Sequence, residues 1–97
     1  MDKEQLAAQI EERINKEPNI DDIQVIVLRD ETIETADYFV FFYQSKRYME
    51  TGNYSYFLVG NAPIIVDKIT REKYITGTAH DIEFYIEEYK NGLLGKW

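Results

Sequence analysis

"YFVFFYQSKRYMETGN", residues 38–53, opens with six consecutive apolar or aromatic side chains and turns polar at Gln44. In a strand, successive side chains point to opposite faces, so a strand lying on a single core alternates apolar and polar positions. Tyr38 to Tyr43 do not alternate. The run is short for a helix and rich in aromatics, which makes it a strand that needs cover on both faces. The question it sets for the rest of the chain is what supplies that cover.

Upstream, Asp2 to Glu17 reads as a helix. Leu6, Ala7, Ile10 and Ile14 form one apolar stripe, Asp2 and Gln5 make a capping box, Glu4 complements the helix dipole, and Pro18 ends the element. With one face to bury, this helix is expected to lie across a sheet. "IQVIVL", Ile23 to Leu28, is β-branched, follows a Pro18-Asn19 turn, and reads as a strand continuing towards Thr32 and Ile33. Thr35 to Asp37 then turn the chain into Tyr38.

Downstream, Met49 to Ser55 holds Gly52-Asn53 and reads as an irregular loop. "GNAP", Gly60 to Pro63, lies between apolar runs; Gly60 or Asn61 is expected at positive φ, and Pro63, with no N–H for a ladder, at the head of a strand Ile64 to Asp67. Asp67 to Glu72 turn and Lys73 to Thr76 return. In "HDIEFYIEEY", Ile82, Tyr85, Ile86 and Tyr89 recur at helical spacing, capped by Asp81 or Thr78 and closed by Gly92. Leu93, Leu94 and Trp97 give the tail reason to dock back.

Strands joined by short connections make an antiparallel sheet, and helices at the ends of the order make the class α+β. The expected architecture is an N-terminal helix packed on a curved antiparallel sheet of three to five strands, a cystatin-like roll, with a second helix near the C-terminus at an edge or end. The second face of Tyr38–Tyr43 is left for that helix, the tail or a partner.

At 97 residues, 44% hydrophobic and 30% charged, the chain fits one globular domain spanning 1–97. It has no cysteine, which excludes disulfides and thiolate metal sites and fits a reducing compartment. The charged N-terminus is unlike a signal peptide, and no apolar run approaches the about 18 residues that span a bilayer, so no membrane association and a cytoplasmic location are expected. A net charge of −7 disfavours nucleic acid and favours a basic protein partner.

Motifs for chemistry are sparse. His80 is the single histidine, with no orienting second residue beyond the adjacent Asp81. Glu11-Glu12 and Glu87-Glu88 fall on solvated helix faces, and "DETIETAD" at 30–37 lacks the glycine and ligand spacing of a calcium loop. No phosphate-cradling glycine pattern occurs. No catalytic residue, metal or cofactor is expected, and the chain reads as a binding protein. Eight tyrosines, five of them between residues 38 and 56, suit half-buried faces and interfaces. Lys46 and Arg47, directly after the aromatic run, read either as interface anchors or as stitches to neighbouring acids.

"VFFYQSKRYMETGN" (40–53), "LVGNAPIIVDK" (58–68), "TGTAHDIEFYIEEY" (76–89) and the preceding "ETIE" (31–34) together resemble the immunity protein 35 family, also called YrhB-like. The resemblance implies a small cytoplasmic α+β protein of bacterial polymorphic toxin systems, an antitoxin that binds and neutralises a cognate protein toxin by steric occlusion. Papain-like peptidases are among the toxins it suggests. Carried over by motif are Tyr43, Ser45, Tyr48, Thr51, Gly60, Asn61, Pro63 and Asp67. With Lys46 and Arg47, the expected partner-binding set is Tyr43, Ser45, Lys46, Arg47, Tyr48, Thr51, Asn61 and Asp67. Two departures from the family pattern stand out: Tyr38-Phe39 replaces Gly-Trp, and Arg71 follows Thr70 where D-x-x-T-G is usual, which implies a different turn. The alternatives are a holdase-type chaperone or housekeeping binder, and an enzyme built on His80. A monomer or a weak homodimer paired through sheet edges is expected.

Overall fold

The computed structural model describes residues 2–16 and 23–97. Glu17, the Pro18 helix stop and the Pro18-Asn19 turn lie outside the described residues. Helix α1, Lys3–Lys16, begins as the sequence indicates. The Gln5 N–H donates to Asp2 Oδ1 at 2.8 Å while the Asp2 N–H donates to Gln5 Oε1 at 3.0 Å, the reciprocal bonds of a capping box. Leu6, Ala7 and Ile10 are fully buried.

Strand β1 is Val25–Val27, shorter than the expected Ile23–Leu28. A turn of 3₁₀ helix at Arg29–Glu31 separates it from β2, Ile33–Glu34. The opening stretch is also divided. Strand β3, Tyr38–Phe41, stops before Phe42, and β4, Tyr43–Ser45, follows directly after that residue. With β5 at Ile64–Asp67 and β6 at Lys73–Ile75, the four-stranded antiparallel sheet runs β2-β3-β5-β6, while β1 and β4 form a second, two-stranded antiparallel sheet. One continuous segment thus serves both sheets. The four strands of the larger sheet agree with the expected three to five; the separate ribbon is an addition to it.

Every residue of β3 is buried. On one face Phe39 and Phe41 join Val27, Ile64 and Val66 against Leu6, Ala7 and Ile10 of α1, with Trp97 at the margin. On the other, Tyr38, Val40 and Ile65 lie under Ile82, Ile86 and Tyr89, with Tyr74 and Leu94 beside them. Those three belong to helix α3, Ile82–Lys90, whose N-cap Asp81 accepts from the Phe84 N–H. The last helix therefore covers the second face and not an edge or end, because Ile82, Ile86 and Tyr89, one helical stripe, pack on Tyr38, Val40 and Ile65. Each buried Leu, Ile or Phe contributes about 1.5–3 kcal/mol, so both faces add to stability.

Strand edges expose unpaired backbone groups that invite pairing with another chain. Side chains meet those of β1 and β4, and the tail meets those of β6. Asn15 of α1 bonds both the N–H and the C=O of Val25, at 2.7 and 3.0 Å. The Val27 N–H donates to Glu11 at 2.8 Å, and its C=O accepts from Arg29 at 3.2 Å. Arg29 also binds Glu4 and Glu11, so α1 and β1 are fastened along the whole edge. On the far side of the ribbon, the Tyr43 C=O accepts from Asn61 Nδ2 at 2.6 Å and the Ser45 N–H donates to Gln44 Oε1 at 2.8 Å. At β6 the tail takes the place of a further strand: the Ile75 N–H donates to the Gly95 C=O and the Trp97 N–H to the Lys73 C=O. The docked tail agrees with the sequence reading.

The expected irregular loop at Met49–Ser55 is overturned. Lys46–Thr51 forms helix α2, capped by Ser45, whose hydroxyl accepts from the Tyr48 N–H, and stopped by Gly52 at φ 69°. Asn53 then caps a 3₁₀ turn, Tyr54–Tyr56. Lys, Arg, Met and Glu favour helix, and a Ser cap and a Gly stop bracket them, so local chemistry wins over the strand-exit reading. Gly60 takes φ 76°, as expected, and Pro63 directly precedes β5.

Candidate functional site

Helix α2 and the segment after it form the most aromatic exposed surface. The rings of Tyr48 and Tyr54 lie 5.6 Å apart, and those of Tyr48 and Phe57 meet edge-on at 4.9 Å. Tyr54 is 77% exposed and Val59 84%, with Met49 and Phe57 also well exposed. Burial against neighbouring rings, then the Tyr54 hydroxyl, pushes the Tyr48 phenol above its ordinary range. Rings of this kind, stiff and amphipathic, are the side chains that anchor protein interfaces.

The platform beneath is held by Gln44. This side chain is buried, its Oε1 accepts from the Leu58 N–H at 2.7 Å, and its Nε2 donates to the Leu58 C=O at 3.3 Å. One amide thus satisfies both backbone groups of Leu58 and sets the path of the segment that carries Phe57 and Val59. Asn61 fastens the other end of that segment to Tyr43.

The sequence-predicted residues fall into three groups. Lys46 and Arg47 are exposed on the first turn of α2, and Tyr48 is half-buried within the ring cluster. Tyr43, Ser45, Thr51 and Asn61 are near them but are committed internally. Tyr43 packs on the α1 core and burial raises its phenol, while Ser45 is fully buried as a helix cap. Thr51 Oγ1 donates to the Arg47 C=O at 2.8 Å.

Asp67 stands apart. The register pairs it with Tyr38, at the far end of β3 from Phe41 and Tyr43. Its Oδ1 accepts from the N–H groups of Ile69 and Thr70, and its Oδ2 from the Tyr89 hydroxyl at 2.5 Å. These bonds, the one from Tyr89 foremost, hold its carboxyl below the usual range. In the same hairpin Arg71 adopts φ 66°, a conformation that suits glycine. The different turn expected from Arg71 is therefore not demanded by the exchange of glycine for arginine.

Tyr54, Phe57, Val59 and Met49 are what the sequence reading leaves out of the site. Tyr54 is legible there only as one of the clustered tyrosines, and solvent exposure of an apolar run such as Tyr56–Val59 has no local signature. His80 is exposed and stacks on Phe84 at 4.0 Å, and the adjacent Asp81 carboxylate caps α3. Among the described residues no group of three His, Asp or Glu side chains is placed to hold a metal ion, and no helix is long and apolar enough to cross a membrane.

Comparison with known proteins gives two matches. The family model described as Immunity protein 35 matches residues 4–92. The protein of Escherichia coli (strain K12) called "Uncharacterized protein YrhB" is 33% identical over 69 residues, covering 71% of this chain and 71% of that one. No solved structure matches.

Proposed function

The chain belongs to the immunity protein 35 family, and from that premise we propose that it binds and neutralises a protein toxin in the cytoplasm of the bacterium that makes it. The family, as an immunity protein family, supports a toxin-neutralising role. The observation that carries the reading to a surface is the exposed cluster of Tyr48, Tyr54 and Phe57 on α2 and the following turn. Lys46 and Arg47 border it. The mechanism is occlusion: the rings insert into the toxin surface and slow dissociation, while the net charge of −7 speeds encounter with a basic partner.

The covered edges of β1, β4 and β6 favour docking through side chains over the addition of a strand there. A holdase-type chaperone would use the same rings without regard to sequence, and a papain-like peptidase remains the toxin class that the family resemblance suggests. The test is co-expression with the toxin encoded beside its gene. Growth is expected to be rescued by the wild-type chain, lost with a Tyr54→Ala, Phe57→Ala double variant, and not restored by this chain against unrelated toxins. Rescue by the double variant, or equal suppression of aggregation of unrelated unfolded proteins, would contradict the reading.

A further inference from the structure

Beside the ring cluster lies a cleft of about 660 Å³, lined among others by Lys46, Arg47, Glu50, Ser55 and Tyr56. Its two cations are set apart from Arg29, Lys68 and Lys96, each of which is bound to a carboxylate. Neither Lys46 nor Arg47 makes an ion pair with a described residue, although Glu50 lines the same cleft one helical turn from Lys46. The guanidinium carbon of Arg47 stands 5.1 Å from the centre of the Tyr56 ring. An arginine resting on an aromatic face keeps the N–H groups of its edge free and loses less freedom when it binds, which suits it to a two-point grip on a carboxylate.

From this arrangement we infer that the bound partner presents a carboxylate-bearing side chain to the cleft, held by Arg47 with Lys46 in support. The inference rests on the reading of α2 as the toxin-binding face and names the chemistry of its anchor. It runs against the sign of the whole molecule. A net charge of −7 steers basic surfaces towards the protein at long range, whereas the contact at the cleft selects an acid. Two opposite requirements, met at different distances, narrow the set of surfaces that fit.

The cleft is tested without the toxin. Isotope-labelled protein is titrated at low salt with blocked tetraglutamate and, separately, with blocked tetralysine, and backbone amide resonances are followed. Tetraglutamate is expected to move the amides of Lys46, Arg47 and Tyr56. Arg47→Ala should weaken that binding about tenfold, the scale of one charge-assisted hydrogen-bonded contact. Tetralysine should leave those amides in place. Unmoved amides with tetraglutamate, equal binding by Arg47→Ala with its fold verified by circular dichroism, or a response of these amides to tetralysine would overturn the inference. The two readings fail separately: with no tetraglutamate response, loss of neutralisation in the ring double variant removes the carboxylate anchor and leaves the toxin-binding face intact.

Discussion

Asp67 shows how a residue chosen for its motif position turns out to organise the fold. Its carboxylate collects the Tyr89 hydroxyl and two backbone N–H groups, fastening α3 to the β5–β6 turn. Because its folded value is the lower one, the stabilisation is complete above the unfolded value of about 4 and is lost as pH falls through the folded value. Asp67→Asn should therefore flatten the acid limb of the urea midpoint against pH, and lower stability at pH 7 by about 1–3 kcal/mol. An unchanged limb would mean that the Tyr89 bond does not hold in solution. Four residues on, Arg71 permits a comparison that leaves its side chain out of account. At φ 66° a Cβ costs about 1–2 kcal/mol, so Arg71→Gly should be the more stable of the pair Arg71→Gly and Arg71→Ala in chemical denaturation.

At the scale of elements, closed edges explain the positions of two otherwise unremarkable segments, the second half of α1 and the tail. Deleting residues 95–97 removes both backbone bonds to β6 and the Trp97 ring that Arg13 covers at 4.1 Å. The shortened chain should self-associate in sedimentation experiments at concentrations where the full chain does not. Equal sedimentation would show that β6 needs no cover. How far elements can be read from sequence follows from the range of the forces behind them. The stripe of α1, the Asp67–Glu72 turn and the Asp81 cap rest on neighbours within a few residues, and they are legible. Helix α2 is six residues long with no stripe, so only its Ser45 cap and Gly52 stop mark it. The split at Phe42 and the bonds from Asn15, Glu11, Gln44 and Asn61 to distant backbone follow no periodicity. They arise only once α1 and the segment around Leu58 are in place. The site divides likewise: Lys46, Arg47 and Tyr48 are visible as a polar exit from an aromatic strand, while the exposure of Tyr54, Phe57 and Val59 is a property of the assembled surface.

For the whole molecule, the six-residue run at Tyr38–Tyr43 has its cover within the chain. Helix α1 takes one face of β3, and α3 with the tail takes the other, so that strand has no apolar face left for a partner. What remains outward is the platform that begins where the run ends, at α2. On the proposed reading, recognition is displaced from the core strand to its continuation, where Gln44 and Asn61 fix a surface rather than a layer. Not every exposed apolar residue belongs to it: Ile69, 85% exposed, sits in the β5–β6 turn beside Asp67, at the other end of the sheet. The most direct measurement is calorimetric binding of the proposed cognate toxin to Tyr54→Ala and to Ile69→Ala. The dissociation constant is expected to rise about thirtyfold with Tyr54→Ala, the scale of a hot-spot residue, and to stay within about twofold with Ile69→Ala. Equal affinities for Tyr54→Ala and the wild-type chain, or a larger loss at Ile69, would contradict it.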